Sequence, residues 1–368
     1  MSQSLTSVTG NRLNVAVDAS PLRDSRRNAG IGRYVASMLV ALSKRDDLDL
    51  HTVTPWLRPR RDTLVVRWLN AQPGLALVRA RHPGALLHGM ASEASLAWPP
   101  GRQVVTLHDV IPWTRDIRTI PTKRYIDYQA SRLRRCATII AVSKSAAAEA
   151  IEQLGLEASR VHVIPEGVEA VFGAVPGGDD TITRRRLGVP ESGYVLWVGT
   201  LLHPDPRKAL DVLIDAMTQV GDATLVMAGA PGDESRRLAQ AANELGLRLV
   251  LPGFVTDAEL AALYRGAGAV AVPSLHEGFG LPVLEALACG APVVATTAGN
   301  LADLAGSAAV LVTPGDATAL AEAIGGLLHN QEERARLAAA GPAVASAYSW
   351  SHTAEMTVAV YREVLGVD

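Results

Sequence analysis

The second half of the chain alternates short β-branched runs with helix-length stretches rich in Ala and Leu, and no other feature limits the fold so strongly. The runs are YVLWVG (194–199), TLVMAG (224–229), RLVLPG (248–253), AVAVPS (269–274), PVVAT (292–296) and AVLVT (309–313), with candidate helices such as 207–219, 232–245, 257–267 and 281–289 between them. Near-continuous apolar strands belong to a parallel sheet covered on both faces, and parallel pairing needs crossover helices, so a doubly wound α/β domain is predicted. The first half repeats the theme with LNVAVD (13–18), a helix at 31–44, QVVTLHD (103–109), a basic helix at 121–135, TIIAVS (138–143) and VHVIP (161–165). A chain of 368 residues accommodates two domains with a core each. The stretch PEGVEAVFGAVPGGDD breaks the periodicity with turn and acidic residues, which places the hinge near 170–180. Ligands of such sheets bind at the carboxyl ends of the strands, here in the cleft between the domains.

With 48% apolar and 20% charged residues, disorder as the main state is excluded. Cys136 and Cys289 are far apart and form no CxxC pair, so neither a disulfide framework nor a cysteine zinc site is indicated, and a reducing cytoplasm is expected. Val15-Ala16-Val17 meets Asp18 too soon for a signal-peptide core, and no run approaches the ~18 apolar residues of a membrane span. Residues 1–184 carry 24 Lys and Arg against 17 Asp and Glu, whereas residues 185–368 carry 11 against 20. The basic half predicts an anionic partner, such as a phosphorylated or lipid-linked substrate or the acidic inner face of a membrane touched peripherally. Nucleic acid is disfavoured, because the basic residues come without interleaved aromatics or a binding module.

The richest stretch for chemistry is Pro273-Ser274-Leu275-His276-Glu277-Gly278-Phe279-Gly280-Leu281-Pro282-Val283-Leu284-Glu285-Ala286, which follows a predicted strand and opens a helix. Its glycines permit close backbone approach, and free N–H groups at a helix start favour a phosphate. Glu277, at the strand end, and Glu285, in the first helical turn, can accept hydrogen bonds from sugar hydroxyls; compensation of the helix dipole is the plainer reading of such a glutamate. Arg207 and Lys208, at the start of the predicted helix 207–219, can neutralise an anionic leaving group without a metal, although a solvated helix start is the plainer reading. Gly30-Ile31-Gly32-Arg33-Tyr34 marks another strand-to-helix loop, and His108-Asp109 ends a strand at the rim of the sheet. Basic residues Lys123, Arg124, Arg132, Arg134 and Arg135 punctuate one helix and Arg58, Arg60 and Arg61 a loop; a solvated face and an anionic docking surface both fit them. Asp47-Leu48-Asp49 is a DxD, a pattern that can bind a metal, but it is placed in a loop between helix and strand in the other half of the chain, where chance accounts for it better, and no other ligand set appears.

Together, E-x7-E in HEGFGLPVLEA, GTLLHPDPRKAL, GIGRYV and VIPEGV resemble retaining glycosyltransferase family 4, whose fold is GT-B: two doubly wound Rossmann-like α/β domains facing across a cleft. The resemblance runs from VAVDASPL to YSWSHTAEMTVAVYREVL and is strongest to bacterial mannosyltransferases and related hexosyltransferases. It implies an acceptor-binding domain at 1–172, a nucleotide-sugar-binding domain at 173–349 and a helix at 350–368 that crosses back onto the first domain, anchored by Trp350. It further implies that Glu277 contacts donor-sugar hydroxyls and Glu285 the ribose, and that amides of Gly278, Phe279, Gly280 and Leu281 line the hexose and phosphate site. Phe254 and Val255 would lie near the base, and Gly30 and Gly32 near the donor phosphate. His108 would stand beside the anomeric centre, acting through its ring or its backbone carbonyl, with Asp109 orienting it. Glu166, where relatives have Asn, is read as a variant hinge residue without a catalytic role. Two further departures are Thr200, where many members have Arg, and Ala209, where Asn is usual.

The implied reaction moves a hexose, mannose first, from a nucleoside-diphosphate sugar, GDP-mannose first, to an acceptor hydroxyl, with no cofactor and no metal. A UDP-sugar-dependent glucosyl or N-acetylglucosaminyl transferase, a nucleotide-sugar epimerase or phosphorylase on the same fold, and a binding module without turnover are the rivals.

Overall fold

The computed structural model describes residues 12–55, 63–114, 120–176 and 178–367. Arg58, Arg60 and Arg61 lie outside these residues.

Twelve strands among the described residues form two six-stranded sheets, and every pairing within them is parallel. The first contains β1 (Leu13–Asp18), β2 (Leu48–Val53), β3 (Leu86–Gly89), β4 (Gln103–Leu107), β5 (Thr138–Ala141) and β6 (Val161–Val163), in the order β2-β1-β3-β4-β5-β6. The second contains β7 (Tyr194–Val198), β8 (Leu225–Ala228), β9 (Leu249–Gly253), β10 (Ala267–Val272), β11 (Val293–Thr296) and β12 (Ala309–Val312), in the order β12-β11-β10-β7-β8-β9. Each order reverses once, between β1 and β3 in the first sheet and between β7 and β10 in the second. At such a point neighbouring crossovers leave toward opposite faces and open a crevice at the carboxyl edge.

Two elements of the first sheet escaped the sequence reading. Strand β2, LDLHTV, is an edge strand whose exposed Asp49 and Thr52 break the apolar run, and β3 is four residues long with a fully buried His88 inside it. Between them, the helix Leu64–Arg81 carries Pro73 in its interior and shows only weak amphipathic periodicity. The placement of Asp47-Leu48-Asp49 in a loop is corrected by the same observation: β2 begins at Leu48. Asp47 pairs with Arg45 and Arg362, each at 2.7–2.8 Å, and Asp49 faces solvent.

The helix Trp350–Leu365 packs on the first sheet, where Trp350, Ala354, Val358 and Tyr361 join Val15, Tyr34, Met38 and Ile140 in one buried cluster. The chain therefore crosses between the domains twice, and the two crossings touch. Val168 N–H donates to the Tyr348 carbonyl at 3.2 Å, and Val168 and Ser349 form a parallel bridge. Gly167 makes this possible, since a Cβ there would lie 2.2 Å from the Trp350 nitrogen. The largest apolar cluster also spans the boundary, joining Ala141, Val142, Ala146 and Ala147 to Phe279 and Leu281.

Trp350 stacks edge-on against Tyr34, with ring centroids 5.6 Å apart, and is 7% exposed. Truncating a buried aromatic costs about 3–5 kcal/mol, so Trp350→Ala is expected to lower the denaturant midpoint by that equivalent, measured by equilibrium urea unfolding.

Candidate functional site

The carboxyl edges of the two sheets face one another, and the loops that follow β4 and β10 meet at bare backbone. A Cβ on Gly278 would lie 1.9 Å from the His108 carbonyl oxygen. Three hydrogen bonds from two sides fix the loop: Ser143 Oγ of the first domain donates to the Gly278 carbonyl at 2.6 Å, Asn300 Nδ2 donates to the Phe279 carbonyl at 3.0 Å, and Asn300 N–H donates to the Glu277 carbonyl at 3.2 Å. His276 donates from Nε2 to Glu149 on the opposite domain at 2.9–3.0 Å.

The helix Leu281–Ala288 starts at Gly280, which has φ +106°, in the left-handed region that favours glycine. None of the amides of Gly278, Phe279, Gly280 and Leu281 donates to another described residue, so together with the helix dipole they form an anion-accepting crest. The side chains of Phe279 and Leu281 are buried in the core, which leaves only their backbone for a ligand.

Glu277 lies in the loop, beyond the end of β10, and its Oε2 accepts from Lys208 Nζ at 2.8 Å. Burial pushes this carboxyl up, but Lys208, a hydrogen bond from Ser274 and Arg207 outweigh it and hold it below the usual range. Lys208 follows β7 and Glu277 follows β10, so the pair sits at the topological switch point of its sheet. Arg207 forks onto Asp205, with Nε to Oδ1 at 3.0 Å and Nη2 to Oδ2 at 2.7 Å, and its Nη1 stands 3.6 Å from Asp109 across the cleft. Arg207 and Lys208 form a 3-10 turn ahead of the helix Leu210–Val220, so the expected helix start at 207 is corrected by three residues. The break falls at Ala209, φ +47°, a conformation that Asn tolerates better than Ala.

Glu285 lies more than a turn into its helix, not in the first turn, and is only 2% exposed, so it does not serve the dipole. Its Oε1 accepts from Arg33 Nη1 of the opposite domain and its Oε2 from the Tyr264 hydroxyl at 3.0 Å. Burial raises this carboxyl above its ordinary range, and Arg33 and Tyr264 work against that rise. Phe254, 60% exposed, follows β9 close to Asp257, which pairs with Arg33. Val255 turns its side chain into the core. Gly30 opens the helix Gly30–Ser43 with nothing above it, whereas Gly32 is buried, 2.3 Å from the Arg26 carbonyl for a Cβ, and lets the preceding turn pack on the helix.

His108 is almost completely enclosed. Its Nε2–H donates to the Met90 carbonyl at 3.0 Å and its Nδ1–H to Glu166 Oε1 at 3.1 Å. The expectation that Asp109 orients this ring, and that Glu166 is only a hinge variant, is corrected: Asp109 Oδ1 accepts instead from Ile111 N–H at 3.1 Å, and the buried Glu166 holds the imidazole. The one signal for Glu166 in the sequence was its substitution for Asn in VIPEGV. Ser92, a non-glycine residue with φ +61°, accepts from His108 N–H at 3.3 Å.

Of the basic segment, Arg132 is half-buried and donates to the Trp98 carbonyl at 3.0 Å, whereas Lys123, Arg124, Arg134 and Arg135 are exposed, Arg134 donating to the Leu154 carbonyl at 2.6 Å. Among the described residues no group of three His, Cys, Asp or Glu side chains is placed to hold a metal, and no helix is long and apolar enough to cross a membrane.

This arrangement defines an α/β two-domain protein whose interdomain cleft is lined by paired charges and unpaired backbone amides. Two family models match: one described as Glycosyltransferase Family 4 over residues 29–171, and one described as Glycosyl transferases group 1 over residues 192–330. The chain belongs to glycosyltransferase family 4 and has the GT-B fold. It is 36% identical over 250 residues to a D-inositol 3-phosphate glycosyltransferase of Salinispora tropica, covering 62% of this chain and 51% of that one. To the serotype-specific mannosyltransferase WbdA of Escherichia coli it is 28% identical over 281 residues, covering 72% of this chain and 34% of that one. The matched region thus spans about half the length of the first of these relatives and a third of the second. The sucrose-phosphate synthase of Thermosynechococcus elongatus superposes with a TM-score of 0.77 at 20% identity, covering 96% of this chain and all of that one.

Burial pulls the His108 imidazole pKa down, but the Glu166 hydrogen bond and charge and the Met90 carbonyl overcome it, and the net shift is upward. A raised histidine value stabilises the fold fully below the unfolded value of about 6.5 and loses that contribution as pH rises through the folded value. In Glu166→Gln, burial is opposed only by the Met90 carbonyl and the Asp109 charge. The His108 midpoint, followed by histidine NMR, is expected to fall below its wild-type value, together with loss of this part of the pH-dependent stability; an unmoved midpoint rules the pair out as its cause.

Proposed function

We propose that the protein transfers a hexose, mannose first, from a nucleoside-diphosphate sugar, GDP-mannose first, to an acceptor hydroxyl with retention of configuration. The observation that carries this reading is the Lys208–Glu277 pair set beside four free amides and against the His108 carbonyl. An ionised, partly enclosed carboxylate suits vicinal sugar hydroxyls, and the amides with Arg207 and Lys208 suit a diphosphate. Glycosyl transfer is also what the names of both curated relatives describe, and WbdA's name adds mannose.

In this reading the glycosidic C1–O bond to the diphosphate breaks as C1 bonds to the acceptor oxygen on the same face. The acceptor proton passes to a diphosphate oxygen, and the cations and amides carry the leaving charge. Both ring N–H groups of His108 are committed inside the first domain, so its part falls to the backbone carbonyl that meets Gly278, a dipole suited to positive charge on the sugar ring. Among the described residues no carboxylate at this point of the cleft is free of cationic or hydrogen-bonded partners, which favours front-face substitution over a covalent intermediate. Domain closure excludes water from the donor.

Thermal-shift titration with GDP, UDP, ADP and dTDP, each with and without magnesium, tests the donor. A ligand specific to the folded state raises the apparent melting temperature. GDP-selective, magnesium-independent stabilisation is expected; UDP selectivity redirects the reading to glucosyl or N-acetylglucosaminyl donors, and no response to any nucleotide overturns it. Glu277→Gln is expected to lower kcat by about 10²–10³-fold with the fold intact, checked by single-turnover transfer.

A further inference from the structure

Arg33 occupies the first turn of the helix Gly30–Ser43, where the dipole disfavours a cation and no acidic residue compensates it. Everything its guanidinium touches belongs to the hinge or to the other domain. Nη1 bonds to Glu285 Oε1, Nη2 bonds to Asp257 Oδ1 at 2.9 Å, and the group lies 5.6 Å from the centre of the Phe172 ring. With Tyr264 on its other oxygen, Glu285 is closed to any further ligand while Arg33 stays in place.

Yet Arg33 is not buried like its partner. Its side chain is 29% exposed and that of Asp257 47%, so water reaches one side of the contact and weakens it. The free amides begin one helical turn from Glu285, about 6 Å along the axis at 1.5 Å per residue. A guanidinium seated on Glu285 is therefore within a side-chain rotation of an anion held at that crest.

We propose that Arg33 and the nucleotide ribose exchange partners: the ribose hydroxyls take Glu285, and the displaced Arg33 fork takes the diphosphate. The exchange keeps each charge matched, since two O–H donors replace the guanidinium on the carboxylate and a phosphate replaces the carboxylate on the guanidinium. This inference rests on the donor-site reading above and assigns Arg33 a part in it.

The test is isothermal titration of wild type, Arg33→Ala and Arg33→Lys with GDP and guanosine and with UDP and uridine, taking the base that wild type binds. A nucleoside carries the ribose without the phosphates, so it feels only the competition for Glu285. Arg33→Ala is expected to bind the diphosphate roughly tenfold or more weakly, the worth of a charge-assisted hydrogen bond, while nucleoside binding is unchanged or tightens. Arg33→Lys, which keeps the charge without the fork, is expected to fall between. Equal losses for both ligands, equal gains for both, or an unchanged ratio overturn the exchange. If wild type binds no nucleotide, the donor-site reading itself fails and the exchange with it. Far-UV circular dichroism and a single cooperative melting transition of the unliganded variants, well above the titration temperature, separate these effects from misfolding.

Discussion

The contact between Gly278 and the His108 carbonyl sets the distance between the two domains. Any side chain at 278 would occupy the space of that oxygen, so the carboxyl edges of the sheets approach only because one of them presents naked backbone. Their other contacts depend on that approach. Ser143 reaches the Gly278 carbonyl, Glu149 reaches His276, Arg207 nears Asp109 and Arg33 reaches Glu285. Residues 276–278 are consequently the most constrained point of the cleft, gripped by one domain and braced from behind by Asn300.

Around this point charge is balanced locally. Lys208 answers Glu277, Arg207 answers Asp205 and Asp109, and Glu166 answers His108. A partly dehydrated cleft penalises a lone charge heavily, so each ion comes with a counter-ion close by. The same balance makes the cleft receptive without making it strongly charged: a polar ligand replaces an existing partner instead of entering an unscreened field.

How far the sequence could be read varied with the range of the interaction. Ten strands were legible as apolar runs, to within two residues at their ends, because most are parallel strands buried on both faces, which leave nearly unbroken Val, Ile, Leu and Ala, and the edge strands β6 and β9 are also rich in Val and Leu. Strands β2 and β3 were not, since an edge strand with a polar face and a four-residue strand with a buried histidine carry no such run. At the site, Glu277 and Glu285 stood out through the glycine-flanked turn and the helix that follows, and Arg207 and Lys208 through their place after a strand. Their partners were invisible. Arg33 and Glu285 are 252 positions apart and His108 and Glu166 are 58 apart, and no local pattern records which carboxylate a distant cation will meet. Asp109 was the natural choice for His108 because it is adjacent, but adjacent residues on an extended chain point to opposite sides.

The return of the helix Trp350–Leu365 to the first domain bears on how the chain matures during synthesis. Domains generally fold as they emerge, the N-terminal one first. Here the layer that covers Val15, Tyr34 and Met38 comes from Trp350, Ala354, Val358 and Tyr361, which are translated after the whole of the second domain. The domain made first is thus the last to be completed, and until the final helix docks it exposes an apolar face next to a nascent chain. Synthesis and assembly run in opposite directions along this protein, and the second domain is already available as a folded neighbour when the first one closes its core.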